Sequence, residues 1–315
     1  MRLADSPRLR TFALVTDLGS ISAAASVLGY TQSAVSQQLA ALERELGVAL
    51  VDRSQRPLRP TPAGATLRPH VDRALAALSA ADAVIEDLRG GIPRLRLAAF
   101  PSALSSFLPA ALRDLRRTHA ELVVEVLQLE TREAIERLHT GEADLAVVHH
   151  MPGVAVPEVS GLRRRRLVVD DLHVVLPDRH RLASRDEVSV DDLREEPLIL
   201  PRRDTPAGRF RSVIDQLCAQ AGFAPRVAYE VDDLPAAQAF AAAGIAVVPM
   251  HGLTLSTVPN GATVRPLAER PAGSRTIEAV APQAARAPID DDLFERLHGA
   301  ARAYVAGQSR VDRSG

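Results

Sequence analysis

Gly19-Ser-Ile-Ser-Ala-Ala-Ala-Ser-Val-Leu28 and the adjoining Gly29-Tyr-Thr-Gln-Ser-Ala-Val-Ser-Gln-Gln-Leu39 decide the fold of the first part of the chain. Ser20 suits an N-cap, because its short hydroxyl side chain can accept from a free amide of the first helical turn. It opens a helix over 21–28, in which Ala23, Ala24 and Ala25 allow a neighbouring helix to approach closely. Gly29-Tyr30 makes a turn, and Thr31 caps a further helix that runs to Leu46 and ends at Gly47. Upstream, Leu9, Phe12 and Thr16 mark a helical face that stops near Gly19. In the third helix Val35, Leu39, Leu42 and Leu46 recur at steps of four, three and four, forming one buried stripe. Gln32, Ser33, Ser36 and Gln37 lie outside that stripe at the leading end. Small hydroxyl and amide groups there suit hydrogen bonds to base edges and phosphates. The same residue types also serve on a plain solvated helix face.

Beyond Gly47, a short apolar run over 48–51 leads into a turn-rich segment with Pro57 and Pro60, where Arg53, Arg56 and Arg59 occur at every third position. A basic wing beside a helix-turn-helix clamps phosphates, while a solvated basic loop is the plain alternative. Residues 1–65 hold seven Arg against five acids, which permits phosphate contact without proving it. Candidate DNA contacts are therefore Ser22, Thr31, Gln32, Ser33, Ser36, Gln37, Arg53, Arg56 and Arg59.

The string from Gly19 to Leu28, together with Gln32–Leu39, Leu42-Glu43, Leu46-Gly47 and Thr61-Pro-Ala-Gly64, resembles the N-terminal signature of LysR-type transcriptional regulators. Val51 stands where that family usually has Phe, and Ser33 where Pro is common. The resemblance implies a winged helix-turn-helix that binds double-stranded DNA, with no enzymatic activity and no cofactor. It further implies a small-molecule effector, self-association into a dimer or tetramer on a pseudo-palindromic promoter site, and RNA polymerase as a partner.

Thr61-Pro62 is a cap followed by Pro in the first turn, a strong start for a helix over 62–89. Within it Leu67, Val71, Ala74, Leu78, Ala81, Ile85 and Leu88 alternate steps of four and three, an a/d seam. A helix of this length spans roughly 40 Å at about 1.5 Å per residue, more than one small domain needs. It can pair protomers or pack on its own domain; in LysR-type regulators the corresponding helix pairs protomers, and the resemblance implies that role for these seven residues.

After Gly90-Gly91-Ile92-Pro93, which reads as a hinge, strands and helices alternate. Strands are expected over 95–100, 122–129, 144–148, 167–176, 197–200, 227–230, 245–248 and 277–281. Helices are expected over 102–117, 131–139, 210–221, 234–243 and 290–305. The expected fold class is α/β overall. It comprises an all-α winged helix-turn-helix at 1–61, a linker helix at 62–91, and two Rossmann-like subdomains within 92–305. The first subdomain takes 92–166 plus 269–305 and the second 167–268, leaving 306–315 as a disordered tail. This C-terminal part resembles the effector-binding domain of the same family, itself similar to periplasmic solute-binding proteins. The strings at 141–147 and 242–249 and the turn at 180–183 carry that likeness.

Ligands of open α/β sheets bind beyond the carboxyl ends of strands. Ser102, Thr131, His149, His150, Arg202, Arg203 and Asp232 lie there, and are the candidate effector contacts. Ser102, Thr131 and either Asp232 or Asp233 could equally cap helices. Adjacent residues on a strand point to opposite sides, so His149-His150 is not a metal pair. Cys218 is the single cysteine and follows Phe210, Ile214 and Leu217 on a helical stripe, the place of a buried filler.

The composition, 46% hydrophobic and 24% charged, is that of a globular rather than a disordered chain. The N-terminus lacks an apolar signal segment, and the apolar run 236–249 is too short to span a bilayer, so the expected location is the cytoplasm with no membrane partner. A cytoplasmic solute-binding module or an α/β enzyme is the alternative. The basic wing argues against the first, and the lack of a catalytic constellation against the second.

Overall fold

The computed structural model describes residues 6–88, 94–151, 162–256, 258–269, 272–282 and 287–311. It falls into two compact units: one up to Gly91 together with Glu136–Ala143, the other comprising the rest.

The N-terminal unit begins with α1 (Ser6–Leu18), α2 (Ile21–Leu28) and α3 (Gln32–Leu46). The Ala23 amide donates to Ser20 Oγ at 3.3 Å and the Ala34 amide to Thr31 Oγ1 at 3.2 Å, so both expected caps form. Gly29 and Gly47 end α2 and α3 in the left-handed region, at φ of 66° and 71°. Val35, Leu39 and Leu42 of α3 enter a core with Leu9, Phe12, Val15, Ala24, Leu50 and Val51. A two-residue wing, β1 (Val51–Asp52) paired antiparallel with β2 (Arg59–Pro60), follows.

Helix α4 (Pro62–Leu88) then leaves the wing. Its start is fixed by Thr61, whose amide donates to Leu50 O at 3.0 Å and whose hydroxyl donates to Ala49 O at 2.7 Å. Gly64 is required by contact: a Cβ there would lie 2.1 Å from Leu50 O. Leu67 packs against the unit's core and Val71 and Leu75 are buried in it, so these first turns serve their own unit. This corrects the expectation that Leu67 and Val71 face a second chain. Ala74 and Ala81 are exposed, as are Leu78 and Ile85 at 43% and 44%. Leu88 ends the helix, and its side chain lies outside the described residues.

From Arg94 the chain runs β3 (Arg94–Ala99), α5 (Pro101–Ser105), α6 (Leu108–Thr118), β4 (Val123–Gln128), α7 (Thr131–His139), β5 (Leu145–His150) and β6 (Leu162–Asp170). It continues through β7 (Leu172–Pro177), β8 (Leu198–Leu200), α8 (Gly208–Gln220), β9 (Val227–Glu230) and α9 (Leu234–Ala242). The closing elements are β10 (Val248–His251), β11 (Ala262–Pro266), β12 (Arg275–Pro282) and α10 (Ala287–Val311). One sheet has the order β4-β3-β5-β12-β6, with β3 parallel to β4 and β5 and β12 antiparallel to β5 and β6. A second has the order β10-β7-β11, beside a parallel β8-β9 pair. The chain passes from one sheet to the other at Asp171 and returns between Pro266 and Arg275. Each sheet has its own core, Leu97, Phe107, Leu145 and Leu297 in one and Val174, Leu198, Leu217 and Val247 in the other.

Several elements differ from the expected ones. The helix over 102–117 is two helices, because Pro109 cannot donate to the carbonyl four residues back and its ring would strike it. The strand over 167–176 is two strands in different sheets, divided at Asp171, since a rigid strand cannot serve both. The strand expected at 245–248 begins instead at Val248, and β11 carries no expectation. Helix α10 continues to Val311, so 306–311 is helical rather than a disordered tail, while 312–315 lie outside the described residues. The Arg163–Arg166 run forms part of β6. There Arg163 pairs with Asp291 at 2.9 Å, Arg165 with Glu295 at 2.6 Å, and Arg164 with Glu278.

The close approach at Gly64 is testable. Gly64→Ala forces α4 away from Leu50 O and should destabilise the N-terminal unit by about 1–3 kcal/mol, read by urea denaturation. A midpoint equal to wild type would show that α4 does not need this contact.

Candidate nucleic-acid interface and effector cleft

Burial of the Val35, Leu39 and Leu42 stripe leaves the leading end of α3 outside. Gln32, Ser33 and Gln37 are exposed and Ser36 is half-buried. Thr31 Oγ1 lies 2.9 Å from Ser33 Oγ, and Ser20 Oγ the same distance from the exposed Ser22 Oγ. Thr31 therefore serves first as a cap, and Ser22 borders the cap of the preceding helix. Thr11 donates to Gln38 Oε1 at 2.6 Å, holding that amide inward and separating it in role from Gln37.

The wing is bound to α3 by Glu43, which sequence reasoning quoted without a role. Its carboxylate accepts from the amides of Leu50 at 2.8 Å and Val51 at 3.2 Å, and from Arg53 Nη2 at 3.0 Å. Arg53 is thereby partly neutralised. Arg56 and Arg59 are exposed and have no ion-pair partner among the described residues. The surface thus offers two unmatched cations beside a polar helix end, the charge pattern a phosphate backbone needs.

In the C-terminal unit a cavity of about 750 Å³ opens at the carboxyl ends of β3, β4, β5, β8 and β9. Ser102, Thr131, His149, His150 and Asp232 line it. Arg202 and Arg203 lie outside that lining: Arg202 Nε bonds Asp232 at 3.0 Å and Arg203 pairs with Asp215 at 2.6 Å. Of the possible helix caps only Asp233 acts as one, accepting from Ala236 N at 2.8 Å. Thr131 instead joins α7 to β5, accepting from the His149 amide and donating to its carbonyl, both at 3.1 Å.

The floor of the cavity is built by residues that sequence reasoning missed. Arg275 is buried and donates through Nε to Asp170 Oδ2 at 2.8 Å and through Nη2 to Ser102 Oγ at 2.7 Å. Its guanidinium lies over the Phe100 ring, 5.0 Å from the centroid. Asp170 also accepts from the Leu253 amide at 2.9 Å. Burial pushes the Asp170 carboxyl above its ordinary range, and Arg275 opposes that rise. His149 stands edge-on to Phe100 with centroids 4.8 Å apart, and His251 edge-on to Phe210 at 5.1 Å. Burial pushes His149 below its ordinary value and His251 well below, so both rings are held neutral. His150 Nε2 lies 2.5 Å from Glu278, and the Nδ1 atoms of His149 and His150 are buried without hydrogen-bond partners among the described residues. In each ring Nε2 is turned to a carboxylate, Glu130 or Glu278, so Nδ1 of the neutral ring is an acceptor that a ligand would meet with a donor group.

No group of three or more His, Cys, Asp or Glu capable of holding a metal occurs among the described residues. Cys218 is buried beside Leu217 in α8, where desolvation pushes its thiol up to about 11, so it is a weak nucleophile.

Residues 7–65 match the family described as bacterial regulatory helix-turn-helix protein, lysR family, and residues 89–302 match the LysR substrate binding domain. The chain is 34% identical to the HTH-type transcriptional regulator ShiR of Corynebacterium glutamicum over 258 residues, 80% of this chain and 84% of that protein. It is 30% identical to the transcriptional dual regulator GltC of Bacillus subtilis over 295 residues, 91% of this chain and 94% of that protein. Its fold is similar to that of full-length CbnR complexed with target DNA, with TM-score 0.55, 22% identity, and 94% of this chain and 99% of that one covered. Both family matches, in order along the chain, and regulators aligned over most of its length place one conclusion on these two sites: the chain belongs to the LysR family of transcriptional regulators.

Proposed function

We propose that this regulator reads a two-fold DNA site with the leading end of α3 and adjusts that reading to a small molecule held in the C-terminal cavity. The observation that carries this reading is the exposed Gln32, Ser33 and Gln37 end of a well-capped helix, flanked by the unmatched Arg56 and Arg59. Gln32, Ser33, Ser36 and Gln37 contact base edges and neighbouring phosphates. Ser22, Arg53, Arg56 and Arg59 hold the backbone. Two chains pair through Ala74, Leu78, Ala81, Ile85 and Leu88, with Leu67 and Val71 supporting the helix from their own side. Such pairing supplies the symmetry of a pseudo-palindromic site, and two dimers on longer sites make a tetramer.

Ser102, Thr131, His149, His150 and Asp232 face the effector, with Arg202 behind Asp232 and Arg203 further out. Effector shifts the relative closure of the two sheets, which the chain joins at Asp171 and at Ser274-Arg275. The outcome reaches RNA polymerase at the promoter, a role supported by the transcriptional regulators to which the chain is similar. The protein acts by binding rather than catalysis, in the cytoplasm where chromosomal DNA lies. No helix among the described residues is long and apolar enough to cross a membrane.

A gel shift with DNA flanking the regulator's own gene tests the reading surface. Gln32→Ala and Ser36→Ala should each weaken specific binding by about 1–3 kcal/mol. Arg56→Ala combined with Arg59→Ala should weaken all sequences alike and reduce the salt slope by about two. If Gln32→Ala and Ser36→Ala bind like wild type, α3 is not the reading element. Leu78→Asp should convert the assembly to monomers by light scattering, and an unchanged mass would remove the seam.

The neutral histidines give the C-terminal unit a pH dependence. Unfolded, these rings titrate near 6.5; folded, they resist the proton. Between the lowered folded values and 6.5 the unfolded chain binds more protons, so stability is full above that pH and falls below it. His251→Gln should flatten the fall in thermal midpoint as the pH drops from neutrality. An undiminished fall in that variant would assign the dependence to other groups.

A further inference from the structure

Arg68 joins two helices of the N-terminal unit by directional bonds. Its side chain is 17% exposed, two turns into α4. Nη1 donates to Ala13 O at 3.1 Å and to Thr16 Oγ1 at 2.6 Å, and Nη2 to Asp17 Oδ2 at 2.8 Å. Nε donates to Asp72 Oδ1, one turn further along α4, at 2.8 Å. One planar guanidinium is thus fixed to the last turn of α1 and to its own helix at once. A fork of this geometry holds an angle as well as a distance.

Beyond the hydrogen-bonded start at Thr61 and the close approach at Gly64, α4 meets the unit's core through the apolar Leu67, Val71 and Leu75. Packing of that kind attracts without direction, so a helix can roll upon it. Pro69 follows Arg68 directly within the helix. It has no amide to donate to Ala65 O, which removes a backbone bond beside the clamp and makes α4 easiest to bend there. Beyond Leu75 the described side chains of α4 add nothing to this core, and Leu78 and Ile85 stand exposed. From Arg68 to Leu88 the helix rises ~30 Å, so a tilt of ~10° at the clamp moves the far end by ~5 Å. That is about one and a half base-pair steps of a DNA duplex.

We infer that Arg68 is a positioning residue: by fixing the departure angle of α4 it sets the half-site separation that the paired regulator accepts, without touching DNA. This rests on the pairing through Leu78 and Ile85 proposed above. Arg68 would then govern spacing while α3 governs half-site sequence, two properties carried by different residues.

The test is selection of binding sites from random duplex DNA by the full-length chain, followed by gel shifts on the selected half-site repeated at stepped spacings. Arg68→Lys keeps a cation but cannot bridge Asp17 and Asp72 with a planar fork. Thr16→Val removes one anchor without leaving a buried charge, and keeps the test open should Arg68→Lys fold poorly. The expected result is an unchanged half-site sequence with the preferred spacing shifted or blurred by about one to two base pairs, as the lever length implies. Dimeric variants that select the wild-type spacing with the same sharpness overturn the inference. So do variants that lose the half-site sequence itself, since Arg68 would then only hold the reading head together. A wild-type chain that is monomeric and selects a single half-site would instead sink the pairing on which the inference rests.

Discussion

A charge buried where the chain crosses between its two C-terminal sheets is the constraint from which the effector cleft follows. Asp170 is 1% exposed, and a carboxylate in that position is tolerable only when matched. Arg275, the first residue of β12 on the returning chain, matches it, and the Leu253 amide takes the other oxygen. The two passages between the sheets are thereby held side by side, with Ser274 Oγ bonded to Asp171 Oδ1 at 2.7 Å as a second tie. Arg275 also reaches Ser102 at the start of α5, so the crossover and the cavity floor share one guanidinium. Anything that changes the surroundings of Ser102 therefore also touches the side chain that neutralises Asp170.

The N-terminal unit obeys a simpler rule. A small helical body must bury one stripe of α3, and what is left over at the leading end is free for recognition. The caps at Ser20 and Thr31 take care of the amides, so the polar residues beyond them owe nothing to folding. Glu43 binds wing to helix, and Arg68 binds the outgoing α4 to α1. Reading head, wing and linker base are consequently one piece, held by a few directional bonds around an apolar centre.

Periodicity and capping were legible in the sequence because each is local. The stops at Gly29 and Gly47, the stripe of α3 and the start of α4 at Pro62 depend on residues a few positions apart. The division of the 62–88 helix between its own core and solvent was not legible, since Val71 and Leu78 fit the same heptad and only three-dimensional packing separates them. The break before Pro109 was open to reading, and the order of strands across two sheets was not. In the cleft, the rule that ligands sit beyond strand ends found Ser102, Thr131 and the two histidines. Arg202 and Arg203, named by the same rule, lie outside the cavity lining and pair with Asp232 and Asp215. The rule missed Arg275 and Asp170, which lie 105 positions apart and meet only because the chain crosses twice.

The separation on α3 between a buried stripe and an unburdened leading end has a consequence for descent. Exposed positions that touch no core change stability by roughly half a kilocalorie or less, whereas each stripe residue is worth several. Gln32, Ser33 and Gln37 can therefore vary at nearly constant foldedness, and under the proposed reading such changes would alter the DNA site without disturbing the frame. Thr31 cannot join that drift, because it is also the cap. The helix is a rigid frame with a few interchangeable letters, and its evolvability resides in them.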